Sequence, residues 1–398
     1  METSFQLELY YRVYDESVVD LVVSATTTYA HHFRIEQQYC CESLDCHADS
    51  QLEPMYTHEG RRYPMKLFLS LVVSVIPGAF SFLPKTACFA QLKALHGAPQ
   101  DSKEMMLSVG MVKAKCKEGT IQIRRGETKE YELIYRVFRP MSLSSMKAAP
   151  LIAIHGGPSL PSDYQEPLVD AVPYRSIVLF DQLGCGNSET PEDTDEYSIQ
   201  LIVDDLEALI SKLGIRRFHL YGHSFGGMIA YEFLKRKAEQ DKTQEQTGCL
   251  SSILSSTPTS IPSIDAEYDR LFQKVKEENP GKTDEQYFEL FRRNYMCRTP
   301  DTPDPLLRAF DKVGEVWFGF EALPEYECTA LDENKSLLPS ALIIHGEHDY
   351  CTQQCIEKWQ EFFPCSRVKL LKGCSHFGLL EDGFTYGEWI DSFCGEYD

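Results

Sequence analysis

Short apolar runs and longer stretches with apolar residues at helical spacing divide residues 151–371 of this 398-residue chain into candidate strands and helices. Four runs are continuously or largely apolar and predict buried strands, at 151–154, 218–221, 341–345 and 368–371. Helical spacing predicts a helix over 201–210, which Gly214 ends, and a second helix over 228–237. The strands therefore alternate with helices along the chain.

Residues 255–338 show a different pattern, with helices and no strand signal between the second and third of these runs. Apolar residues at helical spacing predict helices over 266–275, 284–295 and 306–320. The last of these ends in Trp317, Phe318 and Phe320, which we expect to pack within the segment. Residues 255–338 are thus predicted to form a helical insertion.

The turn after the run at 218–221 carries the first candidate chemistry. Gly222, Ser224 and Gly226 form a G-x-S-x-G sequence between a predicted strand and a predicted helix. In this setting the motif is a nucleophile elbow, a tight turn that exposes the serine hydroxyl. Glycines are needed there because side chains would collide with the neighbouring strand and helix. Ser224 is the predicted nucleophile.

Three further pieces follow the other predicted strands. The run at 151–154 ends in His155-Gly156-Gly157-Pro158, and the amides of Gly156, Gly157 and Phe225 are the predicted oxyanion hole. Two carboxylates, Glu347 and Asp349, follow the strand at 341–345, and the imidazole of His376 follows the strand at 368–371. Serine, acid and then histidine is the chain order of α/β-hydrolases.

Alternatives exist for the acid and for the base. Asp349 competes with Glu347, because both follow the same strand. His376 competes with His345 and His348, but it alone lies beyond the next strand, as the order requires. In the favoured arrangement His376 accepts the serine proton and Asp349 orients and stabilises the imidazolium.

Three sequences together carry a family resemblance: HGGP at 155–158, FDQLGCGNS at 180–188 and GHSFGGMIA at 222–230. They resemble the proline iminopeptidase family of α/β-hydrolases, and within it the branch of the tricorn-interacting aminopeptidase and the L-amino-acid amidases. The resemblance implies a mostly parallel, doubly wound sheet with an inserted helical cap. It also implies release of an N-terminal residue from peptides or amides, through an acyl-enzyme and without metal or organic cofactor. Within that family pattern Ser224, Asp349 and His376 are nucleophile, acid and base.

The resemblance covers roughly 118–394 and suggests the domain boundaries. We expect an N-terminal extension over 1–105, a hydrolase core over 106–254 and 339–398, and the cap over 255–338. Two departures fall near the expected site: Ser159 follows HGGP where the family usually has glycine, and Phe225 stands where tryptophan is common. The preferred residue is therefore left between proline and another small or apolar residue.

An aminopeptidase must also hold a free ammonium group. In the resemblance a glutamate late in the cap does so, and Glu321, in Gly319-Phe320-Glu321, is the matching residue. Glu289 is a second candidate. A carboxylate left unpaired by an N-blocked peptide would be costly, so such a residue also rejects blocked substrates.

The net charge of −21, from 39 basic and 60 acidic residues, argues against nucleic acid or an anionic membrane as a partner. The expected partner is a small peptide or amide with a free amino terminus; the oligomeric state is left open. The group Cys40, Cys41, Cys46 and His47 lacks a complete metal-site spacing.

Residues 65–84 resemble a secretory signal, with a basic flank, an apolar run and small residues. Pro77 and several serines make this segment a poor membrane span. A start at Met65 would imply a secretory or plastid route. A start at Met1 would leave the segment internal, either as a signal anchor or as an apolar helix packed on the core; without a signal role for the segment, a cytoplasmic protein is expected.

Two other functions fit the same residues. An esterase or lactone hydrolase would use the same serine, acid and histidine on an ester bond. A non-catalytic binding protein of this fold typically loses members of the triad, and all three candidates are present here. An epoxide hydrolase or dehalogenase is disfavoured, because its nucleophile is normally an aspartate where Ser224 stands.

Overall fold

A computed structural model describes residues 5–15, 18–27, 32–40, 114–126, 128–140, 148–240 and 248–398. The chain divides into two units, Met1–Met111 and Val112–Asp398. In the first unit, strands β1 (Phe5–Asp15), β2 (Val18–Thr27) and β3 (His32–Cys40) form an antiparallel sheet in the order β1-β2-β3. The signal-like segment 65–84, Cys41, Cys46 and His47 lie outside the described residues.

The second unit contains an eight-stranded sheet. Its strands are β4 (Ala114–Arg125), β5 (Lys129–Pro140), β6 (Leu151–Ile154), β7 (Ile177–Phe180), β8 (Phe218–His223), β9 (Cys249–Ser255), β10 (Ser340–Gly346) and β11 (Ser366–Leu371). The order is β11-β10-β9-β8-β6-β7-β5-β4. Neighbouring strands among β11, β10, β9, β8, β6 and β7 are parallel, whereas β4 with β5 and β5 with β7 are antiparallel. The predicted strands at 151–154, 218–221, 341–345 and 368–371 are all confirmed.

Helices cover both faces of this sheet, which explains why its central strands are apolar on both sides. The helices outside the insertion are α1 (Leu168–Ala171), α2 (Ile199–Leu213), α3 (Phe225–Gln240), α7 (Gln353–Ile356), α8 (Trp359–Phe362), α9 (Gly378–Glu381) and α10 (Gly383–Gly395). Alternate residues of β6 show the division: Ile152 and Ile154 join the core with α2 and α3, whereas Leu151 and Ala153 join the core with α10. The sheet is thus the middle of three layers.

Local signals set the ends of the predicted helices. The Ser198 side chain accepts a hydrogen bond from the amide of Leu201 and begins α2, and Gly214 ends it with a φ of 63°. Only glycine adopts that left-handed conformation readily. No helix within the described ranges has the length and apolar content needed to cross a bilayer.

The insertion between β9 and β10 is helical, as predicted, with one difference in extent. It contains α4 (Ile261–Glu278), α5 (Asp284–Phe291), which continues as a π-helical turn over Arg292–Met296, and α6 (Asp304–Phe310). The helix predicted over 306–320 ends at Phe310. The chain then passes Gly314, where an added Cβ would lie 1.9 Å from the Gly184 carbonyl oxygen. A helix with a side chain at this position would collide with that loop.

Candidate active site

The predicted nucleophile stands on a strained turn between β8 and α3. Ser224 has a φ of 53°, a left-handed conformation that is unusual for a non-glycine residue. Its amide donates to the Ser255 carbonyl oxygen over 2.8 Å, and its own carbonyl accepts from the Gly227 amide over 3.0 Å. These bonds fix both sides of the turn. Ser224 is 7% exposed.

Three glycines around Ser224 permit this turn because each lies against other atoms. A Cβ on Gly222 would lie 2.4 Å from the Gly226 carbonyl oxygen, and one on Gly226 would lie 2.2 Å from the Ile154 carbonyl oxygen. A Cβ on Gly227 would meet Thr257 Oγ1 at 2.0 Å. The geometry therefore has the features of a nucleophile elbow.

His376 and Asp349 form a buried pair. Nδ1 of His376 lies 2.8 Å from Asp349 Oδ1, which also accepts a hydrogen bond from the Cys351 amide at 2.8 Å. His376 is 2% exposed and Asp349 is 5% exposed. The ring of Tyr350 packs on the imidazole with ring centroids 4.2 Å apart. The imidazole is thus held between a carboxylate and an aromatic ring.

The competing acid, Glu347, and the competing bases, His345 and His348, are not part of this pair. Glu347 accepts hydrogen bonds from the Gly373 amide and from Lys372, and these interactions lower its pKa. His348 is partly exposed, and burial lowers the pKa of His345. The structure therefore pairs His376 with Asp349, the acid that the sequence favoured.

The candidate residues meet at one edge of the sheet. Ser224 follows β8, Asp349 follows β10 and His376 follows β11, and these strands are parallel. Loops after parallel strands gather at the carboxyl edge, where ligands bind in open α/β sheets. The ring of His223, which precedes Ser224, lies 4.8 Å from the His376 ring, centroid to centroid. Among the hydrogen bonds of the described residues, none joins the Ser224 hydroxyl to the imidazole; such bonds often tighten only when substrate binds.

The expected oxyanion hole needs one correction. The Gly156 amide donates to the Tyr164 hydroxyl over 2.7 Å, so it is not free to meet an oxyanion. The described hydrogen bonds use neither the Gly157 amide nor the Phe225 amide. Phe225 is the first residue of α3, where amides have no intrahelical acceptor. Gly157 and Phe225 therefore remain as possible donors.

Sequence reasoning missed two buried residues at this edge, Tyr164 and His223. Nδ1 of His223 lies 3.0 Å from the Tyr164 hydroxyl, and its Nε2 lies 2.8 Å from the His376 carbonyl oxygen. Burial, and then the neighbouring His376, lowers the pKa of His223 to about 3. The position of His223 inside the elbow motif was a usable signal. Tyr164 had none, because its contacts depend on the folded loop.

The two candidate ammonium ligands differ in availability. The Glu289 carboxylate binds both Arg292, which is buried, and Arg293. These hydrogen bonds lower the pKa of Glu289 to about 2. Its charge is already neutralised, so the structure does not favour the expected role of Glu289. Glu321 is exposed in the short helix Phe320–Ala322.

A series of aromatic rings connects the insertion with the imidazole. Tyr350 packs on His376, Tyr268 lies 5.8 Å from Tyr350, and Phe320 lies 6.0 Å from Tyr268, centroid to centroid. Phe320 directly precedes Glu321. The insertion therefore brings Glu321 towards the carboxyl edge of the sheet, where His376 lies.

A second aromatic group surrounds the residue after Ser224. Trp317 lies 5.8 Å from Phe225 and stacks on Tyr197 at 5.7 Å, centroid to centroid. The Ser159 hydroxyl donates to the Trp317 carbonyl oxygen over 2.5 Å. Thus Ser159 and Phe225, the two departures from the family pattern, both contact Trp317. Trp317 is buried, as predicted, whereas Phe318 is exposed.

A surface cavity of about 420 Å³ opens beside Asp349 and His345. Its lining includes neither Ser224 nor His376, so we do not place a substrate in it. Within the part of the chain that the structure describes, no three His, Cys, Asp or Glu side chains are grouped to hold a metal ion.

Comparison with known proteins supports the same fold. Residues 149–383 match a family model described as alpha/beta hydrolase fold. The proline iminopeptidase of Lactobacillus delbrueckii subsp. lactis is 33% identical over 274 residues, 62% of this chain and 90% of that protein. A proline iminopeptidase of Saccharolobus solfataricus is 27% identical over 271 residues, 61% of this chain and 84% of that protein.

Solved structures agree at the level of the fold. The crystal structure of proline iminopeptidase from Mycobacterium smegmatis has a TM-score of 0.57 at 23% identity, covering 70% of this chain and 98% of that one. VinJ has a TM-score of 0.58 at 21% identity, covering 70% and 99%. At these identities the structural matches show the fold alone.

Proposed function

Since the chain belongs to the proline iminopeptidase family of α/β-hydrolases, we propose that it is a serine hydrolase that releases the amino-terminal residue from peptides or amides. The preferred residue in this proposal is proline or another small or apolar residue. The observation that carries the proposal is the 2.8 Å bond between His376 Nδ1 and Asp349 Oδ1, at the sheet edge where Ser224 occupies an elbow.

The reaction begins with attack by Ser224 on the carbonyl carbon of the first residue. His376 accepts the hydroxyl proton at Nε2, because its Nδ1 faces the Asp349 carboxylate. The same imidazolium then donates that proton to the departing amine. Water, deprotonated by His376, hydrolyses the acyl-enzyme and frees Ser224.

The oxyanion of the tetrahedral intermediate meets the amides of Gly157 and Phe225. The Phe225 amide lies at the start of α3, where the helix dipole also favours negative charge. Losing one such donor typically raises the barrier by about 3 kcal/mol. The Gly156 amide is excluded from this role because Tyr164 binds it.

Glu321 binds the free ammonium group of the substrate in this proposal. Burial, and then the charges of Asp269 and Glu321, raises the pKa of Asp265, so Glu321 lies among other carboxylates of the cap. A cationic amino terminus is attracted there, and an N-acylated substrate is not.

The Glu321 role is tested by Glu321→Gln. KM should rise roughly tenfold for a prolyl-arylamide, the value of one lost charge contact of about 1.4 kcal/mol, and should stay unchanged for p-nitrophenyl acetate. Glu325→Gln, another exposed cap carboxylate, is the matched control. Equal effects on the amine and the ester, or equal effects of the two variants, would remove Glu321 from the site.

The function itself is tested with a panel of free and N-acylated aminoacyl-arylamides, together with p-nitrophenyl esters. Wild type should cleave free arylamides of proline or small apolar residues, and Ser224→Ala should be inactive yet folded. Cleavage of esters alone would favour an esterase. Activity that survives Ser224→Ala would place the nucleophile elsewhere.

A further inference from the structure

A row of hydrogen bonds connects three loops at the carboxyl edge of the sheet. The Gly156 amide and the Tyr164 hydroxyl are 2.7 Å apart, and the Tyr164 hydroxyl and His223 Nδ1 are 3.0 Å apart. His223 Nε2 and the His376 carbonyl oxygen are 2.8 Å apart. Gly156 belongs to the loop after β6, His223 to the elbow and His376 to the loop after β11. The row therefore joins the oxyanion side to the base side.

The backbone groups at the two ends of this row determine which atom donates in each hydrogen bond. The Gly156 amide can only donate, so the Tyr164 oxygen accepts there and its hydrogen is left for His223 Nδ1. The His376 carbonyl oxygen can only accept, so His223 carries its proton on Nε2. When His223 is neutral with its proton on Nε2, Nδ1 accepts the Tyr164 hydrogen, so each donor and acceptor of the three bonds is used.

The surroundings of the row keep it dry and uncharged. Tyr164 and His223 are 2% and 3% exposed. Phe377, the residue after His376, stacks on the His223 ring and meets the Tyr164 ring edge-on, both with centroids 5.2 Å apart. Burial strongly lowers the pKa of His223, so this ring stays neutral at physiological pH.

We propose that Tyr164 and His223 are positioning residues, which hold the oxyanion loop and the backbone of His376 in register with Ser224. This inference rests on the proposed serine-hydrolase function. The Gly157 amide and the His376 ring must both stay within hydrogen-bond reach of the reacting atoms, yet their loops follow different strands. These hydrogen bonds connect Gly156 and His223, which directly precede Gly157 and Ser224, to the backbone of His376.

Four variants separate positioning from simple packing. Tyr164→Phe removes the hydroxyl that two bonds share. His223→Gln places an amide near the Nε2 position and keeps the donor to His376, whereas His223→Asn reaches only Tyr164. Tyr231→Phe is the matched control: its hydroxyl donates to the Thr329 carbonyl oxygen over 2.8 Å, on a buried ring of α3 outside the row.

The measurements are kcat and KM for p-nitrophenyl acetate, the rate of inactivation by a fluorophosphonate, and unfolding in urea. Tyr164→Phe should lower kcat and the inactivation rate roughly 10- to 100-fold with KM nearly unchanged, because displaced reacting groups cost rate more than binding. His223→Gln should keep more activity than His223→Asn. Tyr231→Phe should keep wild-type rates with a comparable loss of stability.

The outcomes distinguish this inference from the proposed function. If the fluorophosphonate does not label wild type, both fail. If it labels wild type but Tyr164→Phe reacts at the wild-type rate, or His223→Gln and His223→Asn are equal, the positioning role alone fails. Nitrogen-15 NMR of wild type at pH 7 gives a test without variants: His223 should be neutral with Nε2 protonated, and a charged ring or the other tautomer would overturn the row.

Discussion

Replacing Asp349 by asparagine removes one charge while the surrounding bonds hold the side chain in place. The Cys351 amide donates to Asp349 Oδ1, and so does His376 Nδ1. An asparagine would keep its carbonyl oxygen toward these two donors. Its amide nitrogen would then take the place of Oδ2, which is buried and has no hydrogen-bond partner.

Two effects of Asp349→Asn follow from this geometry. The imidazolium of the transition state loses a counter-ion; two charges about 4 Å apart at an effective dielectric of about 20 interact by about 4 kcal/mol. That energy corresponds to a fall in kcat of roughly 1000-fold. The new buried donor without an acceptor should also lower the free energy of unfolding by about 1–3 kcal/mol.

The assay is kcat for the best arylamide or ester substrate of wild type, with urea unfolding measured alongside. Glu347→Gln is the matched control, since Glu347 follows the same strand but bonds to Lys372 and Gly373, and it should keep kcat within about twofold. A kcat for Asp349→Asn within tenfold of wild type would refute the assignment of the acid. A larger loss in Glu347→Gln would transfer the role.

The remaining predictions concern stability. Glu289→Gln should cost about 2 kcal/mol of unfolding free energy at pH 7, because it leaves buried Arg292 without its anion, with KM unchanged. The pKa of Glu289 is about 2 in the folded protein and about 4.3 in the unfolded chain, so this stabilisation is complete above pH 4.3 and is lost as pH falls toward 2. If Glu289→Gln instead raised KM at wild-type stability, Glu289 would be a substrate-binding residue. Gly226→Ala should lower the free energy of unfolding by about 3 kcal/mol or more, because its Cβ would lie 2.2 Å from the Ile154 carbonyl oxygen. Gly383→Ala is the control, since a Cβ there meets nothing within 4 Å. Equal urea midpoints for the two variants would contradict the close packing at the elbow.

Features encoded in short stretches of sequence could be predicted here. The apolar runs located β6, β8, β10 and β11, and the order serine, acid, histidine along the chain indicated the fold that the family match confirms. The choice of Asp349 as the partner of His376 also agrees with the structure. The strands and the order of the site residues are visible in a single sequence, whereas the choice of Asp349 over Glu347 came from the family resemblance, because both residues follow the same strand.

Features that depend on contacts between distant loops could not be predicted. Tyr164 reaches back to Gly156 only when its loop is folded, and it removes one expected oxyanion donor. The helix expected over 306–320 ends at Phe310, and beyond it Gly314 lies close to the Gly184 carbonyl. Glu289 has the right residue type and the right segment for binding an amine, but the arginines beside it occupy its carboxylate.

Whether Ser224 is the nucleophile that forms the covalent intermediate can be measured by mass spectrometry of the full chain after reaction with a fluorophosphonate. One adduct per chain should form, and peptide mapping should place it on Ser224; Ser224→Ala should stay unmodified. An unmodified wild type, or an adduct on another residue, would show that Ser224 is not the nucleophile.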